Sequence, residues 1–332
     1  MLRWIGSKRK PKANSQHTPV KLIIEPDDGV TPLVRGIKNA RKSIDIVIFR
    51  FDRLELEKAL EAAVARGVAV RALIAHTNRG GEKTLRKLET RLLAMGITVS
   101  RTADDLPRYH GKMMIIDDTL YVLGFNYTKL DMEKSRSFGV VTRDPKLVKD
   151  AASLFEADSN RLTYAPNHDR FVVSPETSRA RLTSFIKGAR KELLIYDEKV
   201  TDNLIQRLLE ERARSGVDIR VIGKVEKILA GVETRRLKDL RLHVRAIVRD
   251  GTMAFVGSQS LRKLELDGRR EVGLLIHDAR VAKKIQAVFE FDWDHASATK
   301  AVVPVDAANA KPARAKVARA KVAKNVKARK AS

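Results

Sequence analysis

The sequence predicts an α/β protein built as two tandem repeats, each a mixed, mostly parallel sheet with helices on both faces, the two packed as a pseudo-dimer. Three observations carry this. The chain matches itself without a gap at a shift of 149: Pro26 falls on Pro175, Ile37-Lys38 on Ile186-Lys187, Ala40-Arg41-Lys42 on Ala189-Arg190-Lys191, Ile46 on Ile195, Gly67-Val68 on Gly216-Val217 and Arg71 on Arg220. Strand-like and helix-like patterns alternate in each copy, which implies βαβ units. After a stretch where the second copy is 16 residues shorter, the copies meet again at a shift of 133, His110 on His243, Asp117 on Asp250 and Gly124 on Gly257.

The elements follow in order. A short strand (21–25; 170–174) ends at Pro26 or Pro175. A helix comes next, with apolar residues three and four apart: Leu33, Val34 and Ile37, or Leu182, Phe185 and Ile186. The apolar runs 44–49 and 193–196 read as buried strands, and 54–66 and 201–215 as amphipathic helices stopped by Gly67 and Gly216. Strands at 68–75 and 217–222 precede the divergent stretch, and amphipathic helices at 145–160 and 279–294 close the copies. The expected division is a basic N-terminal segment 1–19, a first repeat 20–163, a second repeat 164–300 and a disordered Lys/Ala-rich tail 301–332.

Composition narrows the function. The 332 residues carry 66 Lys and Arg against 41 Asp and Glu, a net charge of +25, and no cysteine, which excludes a disulfide scaffold, a cysteine-ligated zinc protein and a thiol enzyme. Nine of the positive charges follow Asp306 with no acid among them, and removing them still leaves +16. A chain this basic attracts polyanions: nucleic acid, anionic lipid headgroups or phosphate-bearing substrates. No uncharged apolar run approaches the length of a membrane-spanning helix, and the N-terminal charges Lys8 to Lys12 follow the apolar piece in the wrong order for a secretory signal. The expectation is a cytoplasmic protein, peripheral to a membrane or associated with the nucleoid through its basic tail. Trp4 and Ile5 beside Lys8 to Lys12 would add a weak interfacial anchor.

Polar residues concentrate where the copies rejoin: His110-Gly-Lys112 with Asp117 and then Gly124-Phe125-Asn126, and His243-Val-Arg245 with Asp250 and then Gly257-Ser258-Gln259-Ser260. In extended chain, residues i and i+2 share a face, so each imidazole lies beside a fixed cation. Such a pair suits a phosphodiester, since the cation binds non-bridging oxygens while a neutral imidazole attacks phosphorus. Two pairs across a pseudo-twofold axis supply one nucleophile, one general acid and two phosphate-binding cations, with no metal and no cofactor required. His17, His76, His168, His277 and His295 lack this context and read as surface or structural, and the runs 113–116 and 246–248 as sheet core.

His-x-Lys-x4-Asp followed by Gly-Ser-x-Asn, present twice over roughly residues 20–300, resembles the phospholipase D superfamily. Residues 254–262 and 269–273 resemble the bacterial phospholipase D-like proteins related to cardiolipin synthases. The resemblance implies a phosphohistidine intermediate and transfer of a phosphatidyl or phosphoryl group to water or an alcohol. It implies catalytic roles for His110, Lys112, Asp117, His243, Arg245 and Asp250, with each Asp orienting its histidine or a neighbour, and supporting roles for Asn126, Ser258, Ser260 and Glu271. The sequence departs from the pattern in a first loop one residue short, in Arg245 for Lys and in Ser260 for Asn; the counterpart of Glu271 is Ser137. The better-preserved first motif makes His110 the nucleophile and His243 the acid, although the roles can be exchanged. A phospholipid phosphodiesterase or phosphatidyltransferase is the leading expectation. The alternatives are a metal-independent nuclease using the same histidines and an inactive module that binds DNA or anionic lipid.

Overall fold

The computed structural model describes residues 19–78 and 80–298. The predicted tail and nearly all of the predicted basic N-terminal segment lie outside the described residues. The first repeat runs β1 (Lys21–Glu25), α1 (Thr31–Asn39), β2 (Ser43–Ile48), α2 (Leu54–Ala65), β3 (Ala69–Ile74), α3 (Gly81–Ala94), β4 (Thr98–Arg101), β5 (Met113–Ile116), β6 (Thr119–Leu123), α4 (Lys129–Glu133), β7 (Ser135–Thr142) and α5 (Pro145–Asn160). The second runs β8 (Phe171–Ser174), α6 (Ser178–Lys187), β9 (Glu192–Val200), α7 (Asn203–Arg214), β10 (Asp218–Val225), β11 (Val232–Arg236), β12 (Arg241–Leu242), β13 (Arg245–Arg249), β14 (Met253–Gly257), α8 (Lys263–Asp267), β15 (Glu271–Ile276), α9 (Ala279–His295) and β16 (Ser297–Ala298). The divergent stretch is thereby explained: α3 belongs to the first repeat, and the second passes directly from β10 to β11.

Each repeat forms one mixed sheet, ordered β1-β7-β6-β5-β2-β3-β4 and β16-β11-β10-β9-β13-β14-β15-β8. The expectation of mostly parallel pairing is corrected. Within each repeat parallel ladders join only β2, β3 and β4, or β9, β10 and β11; the short β12 of the second repeat adds a parallel pair to β7 of the first, and the other neighbours are antiparallel. The physical reason is the connection. A crossover helix such as α2 or α7 returns the chain parallel, whereas β5 to β6 and β13 to β14 are joined by turns too short for anything but a hairpin.

Alternation on the strands fills two kinds of core. Ile44, Ile46, Met114 and Ile116 face α1, α2 and α3 in the outer core of the first repeat, and Leu193, Ile195, Ile247 and Phe255 face α6 and α7 in that of the second. Met113, Ile115, Ala246 and Val248 face the other way, into a core shared by both repeats together with α5 and α9. Phe138 of the first repeat meets Tyr196 of the second at 5.7 Å between ring centroids, and Tyr196 meets Phe289 at 5.0 Å. The predicted pseudo-dimer is this shared core.

Buried arginines tie the halves in matching fashion. Arg136 of the first repeat pairs with Asp292 on α9 at 2.8 and 3.1 Å, and Arg270 of the second pairs with Asp158 on α5 at 3.1 Å. Removing one partner of such a pair leaves a buried charge uncompensated, so each link fixes how the repeats sit on one another.

Candidate active site

The two motifs converge where the repeats meet, and each is held by backbone from the other repeat. The His110 amide donates to the Arg270 carbonyl at 2.7 Å, and the His243 amide to the Arg136 carbonyl at 3.2 Å. β12 pairs with β7 just ahead of His243, and Tyr109 bridges to Arg270 just ahead of His110. The loops after β6 and β14 touch at the pseudo-axis. A Cβ on Gly124 would lie 2.9 Å from the Phe138 carbonyl oxygen and 3.2 Å from that of Gly257, a space only glycine leaves open.

In the first motif the Lys112 ammonium lies 2.9 Å from the His110 ring nitrogens, and His110 Nδ1 lies 2.9 Å from Glu271 Oε2 of the second repeat. Lys112 and Glu271 are fully buried, while the His110 side chain keeps 12% exposure. Burial, then the charges of Lys112, Arg245, Arg269 and Arg108, hold the His110 pKa well below the usual imidazole range. Burial also pushes Lys112 down to about 7, against the opposing charge of Glu271, and pushes Glu271 up, against Lys112.

The second motif is not a copy of the first. Arg245 turns its guanidinium to the His243 carbonyl at 3.0 Å and to Glu198 at 2.9 Å. His243 Nδ1 lies 3.5 Å from Asp131 Oδ2 without a hydrogen bond, because Ser137 stands where the first motif is served by Glu271. The Ser137 hydroxyl reaches the His243 carbonyl at 3.5 Å. Burial, followed by Arg245, Lys112 and Arg241, depresses the His243 pKa as well.

The supporting residues frame this centre. The Asn126 amide and side chain both donate to Asp131 Oδ2, at 2.8 and 2.7 Å. At the equivalent place the Ser260 amide donates to Glu265 at 3.1 Å, and its hydroxyl to Asp197. Ser258 closes its loop against β15: its amide donates to the Val272 carbonyl at 3.0 Å, and its hydroxyl accepts from the Val272 amide at 3.1 Å. Glu271 Oε1, His243 Nδ1 and Asn126 Oδ1 are buried polar atoms without a hydrogen-bond partner among the described residues, which marks where a polar ligand would be received. Among the described residues no group of three His, Cys, Asp or Glu is placed to hold a metal ion.

Asp117 and Asp250, expected to orient a histidine or a neighbour, are found with their carboxylates on backbone amides. Each sits in the hairpin turn beyond its strand, at φ 50° and 54°. Asp117 accepts the backbone amides of Arg41, Lys42 and Ser43, and Asp250 those of Arg190, Lys191 and Glu192. A seven-residue step from His110 to Asp117, or from His243 to Asp250, carries the carboxylate past the far end of the intervening strand, away from the imidazole. Sequence reasoning missed Asp131, Glu265, Asp197 and Glu198. The first two were within reach of the repeat, since each lies five residues after Asn126 or Ser260.

Two histidines with paired cations, brought together on a pseudo-twofold axis by two copies of one α/β fold, place the protein in the phospholipase D superfamily. A family model described as "Cardiolipin synthase, PLD-like domain" matches residues 33–159 and 182–293, and the chain belongs to that family. It is 22% identical over 353 aligned residues to cardiolipin synthase A of Proteus mirabilis, covering 87% of this chain and 72% of that one. Among solved structures, its fold is similar to polyphosphate kinase from Porphyromonas gingivalis, with TM-score 0.69, 20% identity, and coverage of 87% of this chain and 54% of that one. The chain thus spans about half the length of that enzyme. It is similar also to phosphatidylserine synthase of Haemophilus influenzae, with TM-score 0.65, 12% identity, and 85% and 87% coverage.

Proposed function

We propose that the protein is a phospholipid phosphodiesterase or phosphatidyltransferase that works through a phosphohistidine on His110, without a metal, using the units 20–163 and 164–300 as one catalytic body. The observation that carries this reading is the cross-repeat contact of His110 Nδ1 with Glu271 at 2.9 Å, which His243 lacks. An ionised Glu271 only accepts, so Nδ1 holds the proton and Nε2 keeps the lone pair.

Nε2 attacks phosphorus as the bond to the leaving alcohol breaks, and the alcohol oxygen takes its proton from His243. Lys112 and Arg245 balance the charge on the non-bridging oxygens. Neutral His243 then takes a proton from water or an acceptor alcohol whose oxygen attacks phosphorus, breaking the P–N bond and restoring His110. Burial first, and then Arg245, Lys112 and Arg241, depress His243; a phosphodiester anion bound among these cations offsets their part and favours the protonated, acidic form.

The family match and the similarity to cardiolipin synthase A of Proteus mirabilis support a phospholipid substrate. The net charge of +25 supports work at an anionic membrane surface, with the basic tail adding attraction. Among the described residues no helix is long and apolar enough to cross a membrane. Quenching turnover of a phospholipid in alkali, where phosphohistidine survives, and mapping the protein by mass spectrometry tests the intermediate. The expected adduct is on His110; an adduct on His243 alone reverses the roles, and none on either histidine under turnover contradicts the proposal.

A further inference from the structure

The repeats agree at a place the fold does not explain. Lys129-Leu130-Asp131 and Lys263-Leu264-Glu265 occupy equivalent positions on α4 and α8. In each the acid is buried toward the site, while the leucine before it is 46% or 48% exposed. Beside them the first turns of α2 and α7 expose Leu54 and Leu204 to 58% and 61%. One exposed leucine is ordinary, but four at related places around one site are a pattern.

Each pair is fixed as a rigid unit. Asp52 accepts the Lys129 amide at 2.7 Å and Arg53 pairs with Glu133, which clamps the start of α2 to α4. Arg179 does the same for the second repeat, reaching Asp202 and Asp267 at 2.7 Å each. Glu133 is engaged by Arg53 and, at 4.0 Å, by Lys129, and Asp267 by Arg179, while Lys129, Lys134 and Lys263 are exposed beside the leucines. The result is two lips, apolar at the tip and basic at the rim, on either side of the histidine pair.

We propose that these lips are membrane-seating elements that lower the active site onto an anionic phospholipid surface, the leucines entering the acyl boundary and the lysines meeting headgroups. The proposal rests on the phospholipid reading above. Leucine offers a base neither a stacking face nor a hydrogen bond, so the patch favours lipid over nucleic acid.

The test uses the full chain carrying Leu130→Ser with Leu264→Ser, on vesicles of phosphatidylglycerol and phosphatidylcholine and on the soluble diester bis(p-nitrophenyl) phosphate. Vesicle binding and vesicle turnover should each fall at least tenfold while soluble turnover stays within twofold. Leu130→Phe with Leu264→Phe should keep vesicle binding at or above wild type, which controls for misfolding. Unchanged vesicle turnover, a parallel loss on the soluble diester, or a loss confined to single-stranded DNA binding would overturn the proposal. Loss of vesicle binding in the Ser variant, with no turnover of either substrate by wild type, would leave the lips standing and refute the catalytic reading.

Discussion

His110 Nδ1 and Glu271 Oε2 lie 2.9 Å apart although 161 residues separate them, so the nucleophile proposed in one repeat is oriented by an acid from the other. Neither repeat alone holds a complete site. Replacing Glu271 by Gln should leave the fold intact and lower kcat by about 10²–10⁴, the usual range for losing a group that sets tautomer and orientation. Steady-state kinetics beside a thermal melt would check this, and a kcat within threefold of wild type would speak against it.

Lys112 gives the pH profile its direction. With its pKa pushed down to about 7, it loses its charge as pH rises through neutrality, while the depressed His110 stays neutral and nucleophilic well into the acid range. The kcat/KM of wild type should therefore decline above about pH 7, and Lys112→Arg, which cannot deprotonate in that range, should lose the alkaline decline whatever its absolute rate.

Binding an oxyanion should be accompanied by proton uptake, because burial and then the neighbouring cations keep His243 neutral and a bound anion offsets the cations. Titrating tungstate calorimetrically in two buffers of different ionisation heat measures this uptake. His243→Ala should abolish it.

Asp117 and Asp250 should behave as structural residues. Asp117→Ala removes the acceptor of three backbone amides from a residue at positive φ and should cost about 1–3 kcal/mol of stability, while Asp117→Asn should cost less because Asn also tolerates that conformation. In either variant kcat per folded molecule should stay near wild type. A hundredfold fall in kcat with an unchanged melting temperature would return Asp117 to the chemistry.

Glu25, which pairs in register with Ser137, carries a second pH effect that acts on stability. Its carboxyl is fully buried with one oxygen unpartnered, and burial raises its pKa to about 8. Since the folded value exceeds the unfolded one, its contribution is complete below about pH 4.5 and is lost as pH rises through 8. Glu25→Gln should flatten the fall in melting temperature between pH 6 and 9, which differential scanning calorimetry reads directly.

The repeat made much of this legible. Ala40-Arg41-Lys42 recurs as Ala189-Arg190-Lys191 and Asp117 recurs as Asp250, and the fold joins them as one amide-capping unit. Arg71 and Arg220 likewise dock the closing helices, over Phe155 at 4.9 Å and Phe289 at 5.8 Å. What the pattern could not supply was sense and distance. Parallel and antiparallel neighbours share the same two-residue alternation, so the hairpins read as parallel strands. Asp117 is close to His110 in sequence but belongs to the other end of a strand. Glu271 is remote in sequence and adjacent in space.

Turnover by His110 is read from release of phosphatidic acid from mixed zwitterionic and anionic vesicles in the presence of chelator. Wild type should release it, or form the transfer product when an alcohol is added, and His110→Ala should fall by at least 10³. Equal release from both proteins, or none from wild type at any lipid composition, would rule out His110 as the nucleophile of a phospholipid phosphodiesterase.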